Sequence, residues 1–300
     1  MTVHMQEISY AGWPRCIRLA NQNVELIATT DVGPRIIRFG FVGGPNLLKE
    51  FPEAGKTGGD AWRSYGGHRL WHAPEVMPRT YAPDNGPIGH QWDGATLKLI
   101  QPVEAATGIQ KQIEVTLDAQ NNSATVRHQL ANKTPWPVEL APWAVTVMQG
   151  PGRAILPQEP PSNALLPVRP VALWGYTNMA DPRWKWGAKF IQLACDPAAT
   201  TPQKIAAGNK HGWAAYHRDG QVFLKRFAFD PAATYPDFGC NLEFYTNGDM
   251  LEVETLGPLS KLAPAATVEH IERWYLFKAK IGESDDEIEA AMAPLLRQSP

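Results

Sequence analysis

Apolar and β-branched runs in this 300-residue chain are repeatedly cut by Gly, Pro and Asn clusters, and that punctuation decides the fold class. "VELIATT" from Val24 meets Asp31-Val32-Gly33-Pro34, and "RIIRFGF" from Arg35 meets Gly43-Gly44-Pro45-Asn46, a strand-and-turn signature. In "IQKQIEVTLD", Ile109, Ile113, Val115 and Leu117 share one face with Lys111 as the exception, while Gln110, Gln112, Glu114 and Thr116 take the other. Such period-2 alternation belongs to a strand with one buried face. Asn121-Asn122 turns the chain, and Val126, His128 and Leu130 continue inward, which makes His128 a core histidine. Asp219-Gly220 and Asn247-Gly248 each sit between strand-like runs and predict two-residue hairpins. Only "SDDEIEAAMAPLLRQ" reads as a helix, with Ser284 as cap and acids in the first turn. With 25 glycines, 27 prolines and 11 tryptophans, the chain is expected to be all-β, one domain over residues 1–300 with a short C-terminal helix.

Composition narrows the function classes. A formal net charge of −2 and the lack of a basic stripe argue against a nucleic-acid partner. Apolar content of 44% supports a sizeable core. No apolar window is long enough for a membrane span, and the first fifteen residues lack a signal peptide's apolar segment, so no membrane partner and a cytoplasmic location are expected. Cys16, Cys195 and Cys240 are too few and too scattered for a disulfide framework and read as buried thiols. No nucleotide, dinucleotide or serine-hydrolase motif is present, and no cofactor is expected.

Candidate chemistry concentrates in "WRSYGGHRLWHAPEVMPRTYAPDN", Trp62 to Asn85, within a segment that reads as loop from Phe51 to Asp93. Arg63, His68, Arg69, Trp71, His72 and Glu75 surround the Gly66-Gly67 pair there, and Pro74, Pro78 and Pro83 exclude a long helix. Hydrogen-bonding groups interleaved with aromatic rings suit a polar ligand with apolar faces, such as a sugar; the same stretch would also serve as a Pro-rich surface loop whose tryptophans fill gaps. His68 and His72 stand four apart with Glu75 following, but the flanking Gly and Pro deny them the helix that would present them together to zinc, so no metal is expected. A second aromatic-basic loop, Arg183-Trp184-Lys185-Trp186, reads equally as another wall of the cleft or as surface cation–π packing.

The Asn247-Gly248 hairpin brings carboxylates together. A two-residue turn sets Glu243 opposite Glu252 and puts Glu243, Tyr245, Glu252 and Glu254 on one face, away from Leu242, Phe244, Leu251 and Val253. Like charges facing each other need an arginine, a shared proton, a cation or a ligand, unless the face is simply solvated. Coupled carboxylates split their titrations and can supply both a base and an acid.

Three stretches together resemble the galactose-mutarotase-like superfamily, relatives of aldose 1-epimerases built as a β-supersandwich: "DVGPRIIRFGFVGGPNLL", "YGGHRLW" and "MLEVETLGPLSKLAPAATVEHIERWYLF". The chain also resembles a bacterial branch with a GGHRLW…APE signature. The resemblance implies a sugar-binding arginine at Arg69 and a catalytic base on the penultimate strand, at Glu252 or Glu254. The family's acid histidine is missing, because Pro142 and Trp143 occupy its place, so the donor would fall to His68, His72 or His90. The expectation is therefore an aldose-epimerase-like protein acting on a monosaccharide or short glycan. Arg69, His68, Trp71, Glu75, Arg63, His90, Trp143 and Glu243 are the candidate binding residues. A carbohydrate-binding protein without catalysis, or a glycoside-cleaving or lyase enzyme using the Glu243 and Glu252 pair or a histidine base, are the alternatives.

Overall fold

A computed structural model describes residues 2–163 and 165–300. Among them, two antiparallel sheets of eleven and ten strands pack face to face, and a C-terminal helix, Asp285–Arg297, lies on the second sheet. This is the β-supersandwich architecture. No helix of the described residues is long and apolar enough to cross a membrane.

The alternation in Ile109–Leu117 is realised: Ile109, Ile113, Val115 and Leu117 are buried between the sheets with Leu26, Phe39, Leu70, Phe244 and Val253. Lys111 points inward too, and its Nζ lies 2.5 Å from Glu104 Oε1, so the charge enters the core with a partner. Ser284 and Glu287 form a reciprocal capping box, and Ile288, Met292 and Leu295 bury the helix's apolar face. The three cysteines are free and buried.

Two local expectations fail. The Phe51–Asp93 segment is not all loop: His68–Ala73 is a buried strand inside the first sheet, and Gly89–Trp92 is an edge strand of the second. The prolines at 74, 78 and 83 constrain the chain only beyond Ala73 and leave the six residues before them free to pair. Two N-terminal strands, His4–Tyr10 and Trp13–Ala20, extend the first sheet's edge, the outer one exposed and the inner one largely buried. The Pro-rich segment 150–170 opens with another strand, Gly152–Pro157.

The second failed expectation concerns the Asn247-Gly248 turn. Thr246 pairs with Leu251, leaving a four-residue loop, and the register moves by two: Glu243 faces Glu254, and Tyr245 faces Glu252. A two-residue type I′ turn needs positive φ at both centres. Asp219 (φ 49°) and Gly220 (φ 72°) meet that demand, and Arg218 pairs directly with Gln221. At the other turn only Gly248 is left-handed, and the Asn247 side chain instead accepts from the Asp249 N–H. A shift of two keeps every side chain on its face, so the four polar residues stay together.

The Gly66-Gly67 pair sets the entry to strand His68–Ala73. Both glycines have positive φ, and a Cβ would come within 2.0 Å of Lys49 O at Gly66 and 2.3 Å of Ile36 O at Gly67. Only a residue without a Cβ lets three chain segments approach this closely.

Candidate ligand-binding cleft on the outer face of the first sheet

Strand alternation sorts the His68–Ala73 segment into two functions. His68, Leu70 and His72 point between the sheets, whereas Arg69 and Trp71 point to the outer face. Pairing then carries the outer face across four further strands. One row runs Arg69, Val145, Glu254, Glu243, Ala206; the next runs Val147, Glu252, Tyr245, Lys204; Trp71 and Trp143 stand side by side in a third. Two cations and three carboxylates are thus delivered to one surface by strands far apart in sequence.

These charges are buried and partly paired. Lys204 Nζ lies 2.7 Å from Glu243 Oε2 and 3.4 Å from Glu254 Oε2, beneath the rings of Trp143 and Trp174 at 4.9 and 4.6 Å. Trp143 Nε1 donates to Glu254 Oε2 at 2.8 Å. Arg69 Nη2 donates to Glu252 Oε1 at 3.1 Å, and its guanidinium stacks 4.1 Å from the Trp71 ring centroid. Arg69 is 4% exposed, yet its Nε and Nη1 have no hydrogen-bond partner among the described residues; nor do Glu243 Oε1 and Glu254 Oε1. Buried polar atoms left unpaired cost free energy, and a ligand rich in hydroxyls would relieve that cost.

Burial raises the Glu243 pKa well above the usual carboxylate range; Lys204 offsets this only in part, and Glu254 pushes the same way. Glu254 is raised for the same reasons, with Glu252 as its like-charged neighbour. Burial works against the Lys204 ammonium, but Glu243 and Glu254 outweigh it and hold its pKa well above normal. Two carboxylates share one ammonium, so Lys204 stays protonated and a proton settles most readily on Glu243.

Above the sheet lies a cavity of about 520 Å³, within the roughly 300–1,000 Å³ of small-molecule sites. Arg69, Lys204 and Glu252 line its polar side; Trp62, Trp71, Tyr81, Trp143, Tyr176 and Tyr245 supply ring surface. Glu75, accepting from the Tyr81 hydroxyl, is at its rim. Arg69, Trp71, Glu75, Trp143, Glu243, Glu252 and Glu254 are therefore brought to one place, although Glu254 sits under the Trp143 indole rather than on the cavity wall.

The other candidates lie elsewhere. His68 is fully buried between the sheets, 2.7 Å from both Thr146 Oγ1 and His128 Nε2. His72 faces Glu104 at 3.7 Å on the same inner side. Both are candidate acids by sequence, and odd–even alternation along one strand separates them from Arg69. His90 lines a different groove beside Arg15 and Thr30, and Arg63 contacts Tyr65 and the Thr57 carbonyl. The Arg183–Trp186 loop is not a cleft wall: Trp184–Trp186 is a strand of the second sheet, Arg183 pairs with Asp181, and Lys185 pairs with Glu283. Lys204, Tyr176 and Trp174 escape sequence reasoning. The one signal for Lys204 is a lysine amid small and apolar residues in "QKIAA", just after Pro202.

His68, His128 and Glu272 offer metal-ligand atoms within 4.8 Å of one another. Their donor atoms are taken, however. Glu272 accepts from Lys225 Nζ at 2.8 Å, from Thr255 Oγ1 at 2.5 Å and from Trp274 Nε1 at 2.7 Å. His128 Nδ1 donates to the His270 carbonyl at 2.9 Å, which leaves its Nε2 to accept from His68. Burial lowers the pKa of His68, His128 and His270, the last to about 3, and keeps the imidazoles neutral. The cluster is a satisfied hydrogen-bond network in the core, as its lysine partner requires.

No known family profile matches the chain, and no curated protein matches it. Among solved structures, a TPR-domain containing protein from Parabacteroides distasonis is 14% identical with a TM-score of 0.61, covering 94% of this chain and 54% of that one. The chain thus spans about half the length of that relative. A galactose mutarotase-like protein from Lactobacillus casei is 8% identical (TM-score 0.59), covering 87% of this chain and 100% of its own. A protein from Escherichia coli K12, named as a candidate aldose 1-epimerase, is 14% identical (TM-score 0.53), covering 87% and 98%. At such identities the likeness is one of fold: the chain has the galactose mutarotase-like β-sandwich.

Proposed function

We propose that this protein binds a sugar in the 520 Å³ cleft and interconverts its anomers by acid–base ring opening, with Glu252 as base and Lys204 as proton donor. One observation carries the reading: Glu252 and Lys204, separated in their row by Tyr245, present a carboxylate and an ammonium to the same aromatic-walled cavity. The fold of aldose 1-epimerase relatives agrees with it, although fold alone never fixes chemistry.

In this scheme Glu252 takes the proton from the anomeric hydroxyl while Lys204 gives one to the ring oxygen. The bond from the anomeric carbon to the ring oxygen breaks as the carbonyl forms. Rotation about the adjacent carbon–carbon bond and the reverse proton transfers close the ring on the other face. Arg69 holds Glu252 in place, and Glu254 with the Trp143 indole fixes Lys204. Glu243, paired with the Lys204 ammonium at 2.7 Å, helps to orient it, and the reverse transfers on ring closure restore the protons of Lys204 and Glu252 to where they began.

A second reading is binding without catalysis, favoured by the two carboxylates that hold the Lys204 pKa high and weaken it as an acid. Polarimetry on freshly dissolved aldoses separates the two. Acceleration that falls by about 10²–10⁴ in Glu252→Gln supports catalysis. Sugar binding by calorimetry with no acceleration leaves the binding reading.

A further inference from the structure

We infer that the preferred ligand is a glycan of at least two sugar units, its second unit seated in a smaller cavity next to the main one; this rests on the sugar-binding reading of the cleft. The second cavity, of about 330 Å³, shares Glu75 and Trp143 with the first, so the two lie next to each other on the same face. Its walls combine what a pyranose needs: the Trp174 and Phe238 rings for the apolar faces, Asp237 and Glu243 for the hydroxyl edge.

Two independent features point to a ligand there. Glu243 is 1% exposed and borders this cavity, yet its Oε1 has no partner among the described residues. One oxygen is spent on Lys204, and the other is left for a group arriving through the cavity. Phe238, meanwhile, is 93% exposed, an unusual state for a large aromatic in a folded chain. It is displayed by a backbone in which Asp237 (φ 49°) and Phe238 (φ 63°) are both left-handed, a conformation disfavoured for residues with a Cβ. The chain accepts local strain to hold an aromatic ring at the rim of a groove, where backbone strain often accompanies ligand clamps. A sugar stacked on that ring would cover it.

The test is calorimetric titration of the full chain with D-glucose, D-galactose, cellobiose, maltose and lactose, repeated on Phe238→Ala. At least one disaccharide should bind at least about tenfold tighter than its component monosaccharides, equivalent to 1.4 kcal/mol. In Phe238→Ala that advantage should shrink to about twofold or less. The inference is overturned if monosaccharides bind as tightly as every disaccharide, or if Phe238→Ala keeps the advantage; the sugar-binding reading then stands without a second subsite. Failure of every sugar to bind would remove both.

Discussion

Replacing Lys204 by methionine keeps most of the side-chain volume and removes the ammonium between Glu243 and Glu254, 2.7 and 3.4 Å from their oxygens. All three groups are nearly fully buried, so water is a poor substitute for the lost partner. Breaking such a pair typically costs about 3–5 kcal/mol. The chain can limit this by taking up a proton: neutralising one carboxylate of unfolded pKa about 4.3 at pH 7 costs about 3.7 kcal/mol. Glu243 already leans towards the protonated form, so the extra proton goes to Glu254. A carboxylate whose folded pKa is raised stabilises the fold below its unfolded pKa and loses that contribution as pH rises towards the folded value. The deficit of Lys204→Met against the parent protein should therefore grow with pH by about 1.4 kcal/mol per unit, or about 2.7 kcal/mol from pH 5 to pH 7. Urea unfolding of both proteins at the two pH values reads this difference directly. Equal deficits at pH 5 and pH 7 would refute the argument, because they would mean that no extra proton is held and that the carboxylates are solvated from the cavity.

Arg69→Met should abolish sugar binding by calorimetry, since the guanidinium both pairs with Glu252 and offers two free donor nitrogens. Gly66→Ala forces a Cβ against Lys49 O at φ +80°, and thermal unfolding should show a loss of at least about 2 kcal/mol. Lys111→Met should cost about 3–5 kcal/mol in urea by stranding Glu104, most severely where Glu104 is ionised, with Glu104→Gln in the same chain restoring part of the loss. Burial lowers the pKa of His68, His128 and His270, so each stabilises the fold above an unfolded pKa near 6.5 and withdraws that support as pH falls. The urea midpoint should drop from pH 7 to pH 5, and His128→Gln should flatten that dependence.

Parity and local turn chemistry were legible in the sequence. The alternation of Ile109–Leu117, the Asp219-Gly220 turn and the Ser284 cap each depend on a few neighbouring residues, and each is as the residue types dictate. The shared face of Glu243, Tyr245, Glu252 and Glu254 was also fixed locally, because a strand's side chains alternate whatever its register. Tertiary structure decided everything that depends on distant segments. The Asn247 backbone and the Thr246–Leu251 pairing set Glu243 opposite Glu254 rather than Glu252. The sandwich interior claimed His68 and His72, turning both candidate acids to the face opposite Arg69. Lys204 reached the carboxylates through a strand about forty residues upstream of Glu243, a pairing that no local pattern encodes. Alternation is a property of one strand, whereas a cleft is a property of which strands become neighbours, and burial of the whole apolar surface chooses those neighbours.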